Sequence, residues 1–270
     1  MRPSPERVDA VVLASGFNKV PLYEGYVPGY KALLPVGGRA SIHYTLDALE
    51  AAPGVGRICV EGPRALLEPE LAKRPARDRI ELIDGGETFL DSLVLGLRHF
   101  ASSPRVLFAT ADLPLVTPRA IDDFLAGCAA RPARLCVSAV PKASFTGPYA
   151  AFTKPFNRYR DVSLCHGNLF LADPKLLENP ELKEKINRFY AGRKNAVKTT
   201  LALGWQLAVV YMIGVEVLHA LTLNQMAASA SKRLGFEIAP VLVEHPGISL
   251  DIDEADDYEL VRKLREVPCP

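Results

Sequence analysis

The feature that most constrains the fold is a series of short apolar runs that alternate with helix-like segments between residues 7 and 140. The runs are rich in Val, Ile and Leu with little polar alternation, which is typical of strands buried on both faces of a sheet. The sequence therefore predicts a three-layer α/β/α sandwich with a mostly parallel sheet. The predicted strands are Asp9–Leu13, Arg57–Glu61, Ile80–Ile83, Val106–Thr110 and Leu135–Ala139, and the predicted helices are Ser41–Ala51, Arg64–Ala72, Phe89–Ser102 and Pro118–Ala130.

The alternation stops after Pro141 and returns near the C-terminus. There the sequence predicts a helix at Asn224–Leu234, a strand at Ile238–Val243 and a final helix from Glu254. We interpret residues 141–200 as an insertion folded over the sheet of a single domain, residues 1–270. This stretch is too short and too poor in apolar residues to carry a core of its own. Ser41 and Thr117 are the predicted N-caps of two helices.

The composition argues against several classes of function. The chain of 270 residues is 49% hydrophobic and 23% charged, with a formal net charge of +1. No general basic surface is expected, so nucleic acid is not a predicted partner. The N-terminus lacks the apolar core of a signal peptide, and no apolar run is long enough to span a membrane. The five cysteines show no metal-binding spacing. We therefore expect a cytoplasmic protein with reduced thiols.

The first candidate site follows the first predicted strand. Small residues there would let backbone amides approach phosphate oxygens, and lysines of the loop would balance phosphate charge. The alternative is a strand followed by an ordinary structural turn. The candidate nucleotide-binding residues of this loop are Leu13, Ala14, Ser15, Gly16, Lys19 and Lys31.

A second candidate site begins at the glycine pair Gly85 and Gly86. A glycine turn allows the backbone to approach a planar base, and the Ser92 hydroxyl can bond a base or a ribose. The alternative is a plain strand-to-helix turn in which Thr88 caps the helix.

Acidic residues form the third and fourth candidate sites. Asp112 follows an apolar strand within Asp112-Leu113-Pro114-Leu115, and a carboxylate at a strand end can hold Mg²⁺ for triphosphate chemistry. Asp251 and Asp253 alternate along an extended segment, so both side chains can meet one metal ion. The alternatives are a turn cap for Asp112 and an N-cap of the final helix for Asp253.

Together, these motifs resemble those of nucleotidyltransferases similar to molybdenum-cofactor cytidylyltransferase. The shared features are a Leu-Ala-x-Gly loop, a Lys-x-Leu-Leu-Pro segment, the Asp-Leu-Pro-Leu motif and a closing Asp-Ile-Asp. The glycine loop with Ser92 is similar to that of isoprenoid-pathway cytidylyltransferases, and the acids are similar to those of guanylyltransferases such as phospholactate guanylyltransferase. The chain departs from the family at Gly16-Phe17-Asn18-Lys19-Val20, where the second glycine and the arginine of Gly-x-Gly-x-Arg are absent.

The resemblance covers about half the chain and implies a Rossmann-like fold of the nucleotide-diphospho-sugar transferase type. It implies Mg²⁺-dependent transfer of a nucleotide from an NTP, with CTP or GTP favoured, and release of pyrophosphate. Lys31 and Asp112 would be catalytic, and Asp112, Asp251 and Asp253 would bind the metal. A glycosyltransferase that uses a nucleotide sugar and a non-catalytic nucleotide-binding protein stay open as alternatives.

Outside the resemblance, basic and polar residues of the insertion suggest how an acceptor is bound. Arginines suit a small acceptor that bears a phosphate or a carboxylate, and such an acceptor needs no general base. The alternative for the charged stretch Glu181–Arg193 is a solvated helix. The candidate acceptor-binding residues are Arg158, Arg160, Asn168 and Arg193. The expected partners are thus an NTP and a small molecule, and a homodimer is compatible with the sequence.

Overall fold

The central sheet of the computed structural model, which describes residues 7–75, 79–178 and 221–266, contains seven long strands. They are β1 (Val8–Leu13), β2 (Val55–Gly62), β3 (Ile80–Asp84), β4 (Val106–Thr110), β5 (Leu135–Pro141), β6 (Ser163–Ala172) and β7 (Ile238–Leu242). Their order across the sheet is β7-β5-β6-β4-β1-β2-β3. Only β6 is antiparallel to its neighbours among these strands, so the prediction of a mostly parallel sheet is confirmed.

Six α-helices accompany the sheet within the described ranges. They are α1 (Ile42–Ala51), α2 (Arg64–Leu71), α3 (Phe89–His99), α4 (Pro118–Ala130), α5 (Leu223–Leu234) and α6 (Ala255–Glu266). Two-residue strands add small ribbons: Phe17–Asn18 pairs with Gly29–Tyr30, Pro35–Val36 pairs with Arg39–Ala40, and Asn157–Arg158 pairs with β6.

The alternating side chains of β1 explain the three layers. Ala10 and Val12 pack into a core with α1, α2 and α4, whereas Val11 and Leu13 pack into a second core with α3. Residues of both sets are buried. Because successive side chains of a strand point to opposite faces, an uninterrupted apolar run fills both cores at once.

Two of the predicted helix caps can be compared with the structure. Thr117 caps α4 by accepting a hydrogen bond from the backbone of Ala120, as predicted. Ser41 is not a cap: its backbone is already helical, and its buried hydroxyl has no hydrogen-bond partner.

Strand β6 was missed in the sequence. The sequence analysis treats residues 141–200 as an insertion folded over the sheet, yet His166-Gly167-Asn168 lie inside a ten-residue strand of that sheet, between β4 and β5. The polar residues interrupt the apolar run, which hides the strand from an analysis of periodicity. The pairing with β5 is irregular between His166 and Phe170, and the buried Ser138 hydroxyl accepts the Leu169 amide there.

The carboxyl ends of β1, β2, β3 and β4 meet at one edge of the sheet. Backbone hydrogen bonds continue beyond the strands: the amides of Ala14, Ala111 and Gly85 donate to the carbonyls of Glu61, Leu13 and Gly62. Topology therefore brings the first loop, the glycine loop and the Asp112 motif together. Among the described helices, none has both the length and the apolar character needed to cross a bilayer.

Candidate active site

The Lys31 ammonium is the centre of the site. Its Nζ atom lies 2.9 Å from Asp112 Oδ2, 2.5 Å from Asp253 Oδ1 and 3.7 Å from Asp251 Oδ2. The Lys31 amide also donates to the Gly16 carbonyl at 2.8 Å, which ties the two ends of the first loop together. Three acids that the sequence assigned to metal binding are thus gathered around the Lys31 ammonium. We call Lys31 and these three acids the Lys31 cluster.

Burial and charge together shift the pKa values in the Lys31 cluster. Burial favours the neutral amine, but Asp112, Asp251 and Asp253 overcome it and raise the pKa of Lys31. Burial and the neighbouring Asp112 raise the pKa of Asp251 to about 6. For Asp253, the attraction of Lys31 outweighs burial and lowers the pKa.

Lys154 is a second, largely buried lysine at the site, with a side chain 10% exposed, and the sequence analysis missed it. Its Nζ atom donates to the Asp251 carbonyl at 3.1 Å and to Asp257 Oδ2 at 3.3 Å, and it lies 3.6 Å from Asp251 Oδ1. Asp257 in turn accepts the Asp253 amide. Lys154 therefore positions the segment that carries both C-terminal acids. Lys154 belongs to no recognisable motif. Its charge within a mostly apolar loop was the available signal that it belongs to the site.

Asn18 holds the first loop against these acids. Its buried side chain donates to the Asp253 carbonyl at 3.3 Å and accepts the Val20 amide at 2.7 Å. The neighbouring Lys19 is exposed. Asn18, which stands where the family pattern has its second glycine, thus anchors the loop.

Glu61 connects the nucleotide-binding candidates. Its Oε1 atom accepts hydrogen bonds from Ser15 Oγ at 3.0 Å, the Gly86 amide at 2.7 Å and Ser92 Oγ at 2.7 Å. Burial raises the pKa of Glu61, and these hydrogen bonds oppose the rise only in part. The sequence analysis assigned Glu61 only to the end of a strand. A charged residue closing the apolar run Ile58–Val60 was the available signal.

Close packing explains the glycine pair. A Cβ atom on Gly85 would overlap Ser15 Oγ and lie 2.9 Å from Glu61 Oε1, and one on Gly86 would lie 2.5 Å from the Ser92 amide nitrogen. Thr88 caps α3 in a capping box with Asp91. The Ser92 side chain is buried and directed to Glu61. The alternative in which Thr88 caps the helix after a strand-to-helix turn is therefore correct. The same turn also packs closely against the first loop.

The acceptor candidates lie in different surroundings. Asn168 precedes Leu169, which pairs with Ala109, so Asn168 is level with Thr110 and near the start of the Asp112 motif. Arg158 and Arg160 are exposed. Arg193 and the stretch Glu181–Arg193 lie outside the described residues.

A separate cavity of about 330 Å³ lies beside the start of α4. Residues 144, 146–149 and 244–247 form most of its wall together with Leu115 and Thr117. None of the Lys31 cluster lines it, so we treat it as distinct from the candidate active site.

The chemistry of the Lys31 cluster fits a magnesium ion in part. Within the described residues, no three His, Cys, Asp or Glu side chains form a metal site by themselves. Mg²⁺ at phosphate sites needs only one or two carboxylates, with waters and phosphate oxygens as the other ligands. Carboxylate oxygens of Asp112, Asp251 and Asp253 already surround one cation. Such a set can hold Mg²⁺ when a phosphate completes it.

Fold and site together define a nucleotidyltransferase. The chain belongs to the family of the MobA-like NTP transferase domain, which matches residues 10–195. These results confirm the predicted family resemblance, fold class and enzyme class. Among curated proteins, none matches the chain significantly.

Solved structures agree with this assignment. A hypothetical transferase from Thermus thermophilus is 28% identical with a TM-score of 0.76, over 93% of this chain and 99% of that one. The 4-diphosphocytidyl-2C-methyl-D-erythritol synthase of Anaerococcus prevotii is 14% identical with a TM-score of 0.58, over 97% of both chains. A CMP:2-keto-3-deoxy-manno-octonic acid synthetase solved with CTP is 15% identical with a TM-score of 0.55, over 97% of this chain and 99% of that one. At such identities, the last two show the shared fold alone.

Proposed function

We propose that this chain transfers a nucleoside monophosphate, in the presence of Mg²⁺, from an NTP to a small acceptor that bears a phosphate or a carboxylate. An acceptor oxygen forms a bond to the α-phosphorus, the bond to the bridging oxygen breaks, and pyrophosphate leaves with the electron pair. The observation that carries the proposal is the convergence of Lys31 with Asp112, Asp251 and Asp253 beside the first loop.

In this reaction, the protein mainly positions groups and neutralises charge. Lys31 lies at the end of the first loop, where its ammonium can contact a triphosphate while it stays near Asp112. Mg²⁺ would be held by Asp112, Asp251 and Asp253, and it would neutralise the charge of the phosphate oxygens. The acceptor is already an anion, so no side chain has to remove a proton from it.

The proposed base subsite lies over the first loop and the glycine loop, at the point where the two loops pack against each other. Its walls are Leu13 to Gly16 on one side and Gly85 with Gly86 on the other, and Glu61 joins the two. CTP is the preferred candidate because two structural neighbours are named for cytidine nucleotides. GTP is the second candidate because backbone groups can read either base.

The acceptor subsite is proposed for the insertion, residues 141–200, within a single domain. Asn168 lies nearest to the Asp112 motif in strand register, which supports it as a contact. Arg158, Arg160 and Arg193 would attract an anionic acceptor. A cytoplasmic location and a homodimer belong to the same proposal.

The test combines nucleotide binding with turnover. Thermal-shift measurements with each of the four NTPs and Mg²⁺ should identify the bound nucleotide, because a ligand of the folded state raises its stability. Pyrophosphate release should then appear with a suitable acceptor and disappear in Asp112→Asn. The matched control is Asp122→Asn, which changes an aspartate of α4 that bonds the Gly54 amide.

Two results would contradict the proposal. Stabilisation by a nucleotide sugar without any pyrophosphate release from NTPs would indicate a glycosyltransferase. NTP binding without turnover across a broad panel of phosphate and carboxylate acceptors would indicate a nucleotide-binding protein.

A further inference from the structure

Glu61 has an unusual environment for a carboxylate outside the Lys31 cluster. The residue is fully buried, and one of its oxygen atoms accepts three hydrogen bonds. The donors come from three different segments: the first loop, the glycine loop and helix α3. The other oxygen, Oε2, is buried without a partner. Burying a carboxylate in this way is costly, so a purely structural contact would be better served by a neutral group.

The backbone around Glu61 strengthens the same connection. Strand β2 lies between β1 and β3. The Glu61 carbonyl accepts the Ala14 amide, and the Gly62 carbonyl accepts the Gly85 amide. The end of β2 thus holds both walls of the proposed base subsite, by its main chain and by its side chain.

We propose that Glu61 is the positioning residue of the base subsite and that it fixes the separation of the first loop from the glycine loop. This inference rests on the proposed function, since it concerns the same nucleotide site. Glu61 acts through Ser15 and Gly86. Loss of its carboxylate should therefore weaken recognition of the nucleoside and leave the triphosphate contacts at Lys31 intact.

Glu61→Gln is the sharpest variant because it keeps the size of the side chain. A glutamine amide offers one acceptor oxygen and two N–H donors. In one orientation of the amide, its N–H groups face the three groups that now donate to Glu61. In the other orientation, the N–H groups are buried without an acceptor. The matched control is Glu70→Gln, which changes a largely buried glutamate that bonds His43 on α1, away from the site.

The measurement compares two probes by titration calorimetry: the NTP that stabilises the unchanged protein, and inorganic tripolyphosphate, both with Mg²⁺. In Glu61→Gln, we expect about a tenfold or larger loss of NTP affinity and a clearly smaller loss of tripolyphosphate affinity, because the Lys31 contacts remain. Lys31→Met should weaken both probes, and Glu70→Gln should weaken neither. The ratios of affinity among the four NTPs should also change in Glu61→Gln.

A second variant covers the case in which Glu61→Gln fails to fold. Ser92→Ala removes one of the three hydrogen bonds to Glu61, and it should reduce NTP affinity in the same selective way but less. Equal losses for NTP and tripolyphosphate would show a general structural role and overturn the proposal, as would an unchanged NTP affinity. If the unchanged protein binds tripolyphosphate but no NTP, or neither probe, the proposed function itself fails.

Discussion

Replacing Lys31 by methionine should destabilise the fold measurably, because three carboxylates depend on this ammonium. Each contact between Lys31 and a carboxylate corresponds to roughly 4–7 kcal/mol of attraction at an effective dielectric constant of about 20. Desolvation offsets much of that gain, and breaking a buried pair typically costs about 3–5 kcal/mol. The Asp112 side chain is 7% exposed but that of Asp253 is 61% exposed, so we expect the lower value, about 3 kcal/mol.

The expected loss corresponds to a fall in Tm of about 5–6 °C for a chain of this size. Thermal and urea unfolding of Lys31→Met should show it. Lys19→Met is the matched control, because Lys19 belongs to the same loop and is exposed. Methionine keeps most of the apolar stem of lysine, so the difference between the variants reports the charge.

Magnesium should restore part of the lost stability. Without the ammonium, the carboxylates have a stronger affinity for a divalent cation, and binding to the folded state raises the Tm. About 10 mM Mg²⁺ should therefore raise the Tm of Lys31→Met more than that of the unchanged protein. Equal Tm values for Lys31→Met and Lys19→Met would refute the electrostatic argument. A Tm of Lys31→Met that does not respond to Mg²⁺ would refute the assignment of these acids to a metal.

Three further predictions concern single side chains. Asp112→Asn should lower the rate of pyrophosphate release by about a hundredfold or more, and an unchanged rate would remove Asp112 from catalysis. Burial raises the pKa of Asp9, but hydrogen bonds from Arg57 and Ser103 outweigh burial and hold that pKa below 3.8. Ionised Asp9 therefore stabilises the fold above pH 3.8, and this stabilisation is lost as the pH falls through the lowered pKa. Asp9→Asn should cost about 1–3 kcal/mol near neutral pH in urea unfolding, and the difference should vanish in acid; a cost that does not depend on pH would contradict this reasoning. Arg158→Ala should weaken acceptor binding by about fivefold with NTP binding unchanged, since the side chain is exposed, and paired titrations in which NTP affinity falls instead would place Arg158 in the triphosphate site.

The sequence predicted the parallel part of the fold well, for a physical reason. Strands buried on both faces need continuous apolar runs, and β1 and β4 have them. Parallel strands also place their carboxyl ends at one edge, so the order of motifs along the chain was enough to gather Lys31 near Asp112. Strand β6 was not predicted because it is antiparallel and carries polar residues where it passes the edge of the sheet.

Contacts between distant residues limited the prediction of the site. Lys154 bonds Asp251 and Asp257, which lie 97 and 103 residues away in the sequence, and no local sequence pattern predicts these contacts. Glu61 reaches Ser15 across 46 residues and Ser92 across 31. Each of these residues supports groups that the motifs did identify. Motifs thus mark the candidate catalytic and binding groups, whereas the residues that position those groups are seen only in the packed structure.

The charges around Lys31 and Lys154 give a reason for a divalent cation that does not depend on family membership. Four carboxylates, those of Asp112, Asp251, Asp253 and Asp257, contact two ammonium groups. Two negative charges are therefore in excess when all groups are ionised. Burial and the neighbouring Asp112 both raise the pKa of Asp251. One Mg²⁺ ion carries the charge that balances this excess. Because the triphosphate adds further negative charge, nucleotide and metal should bind together more strongly than either does alone.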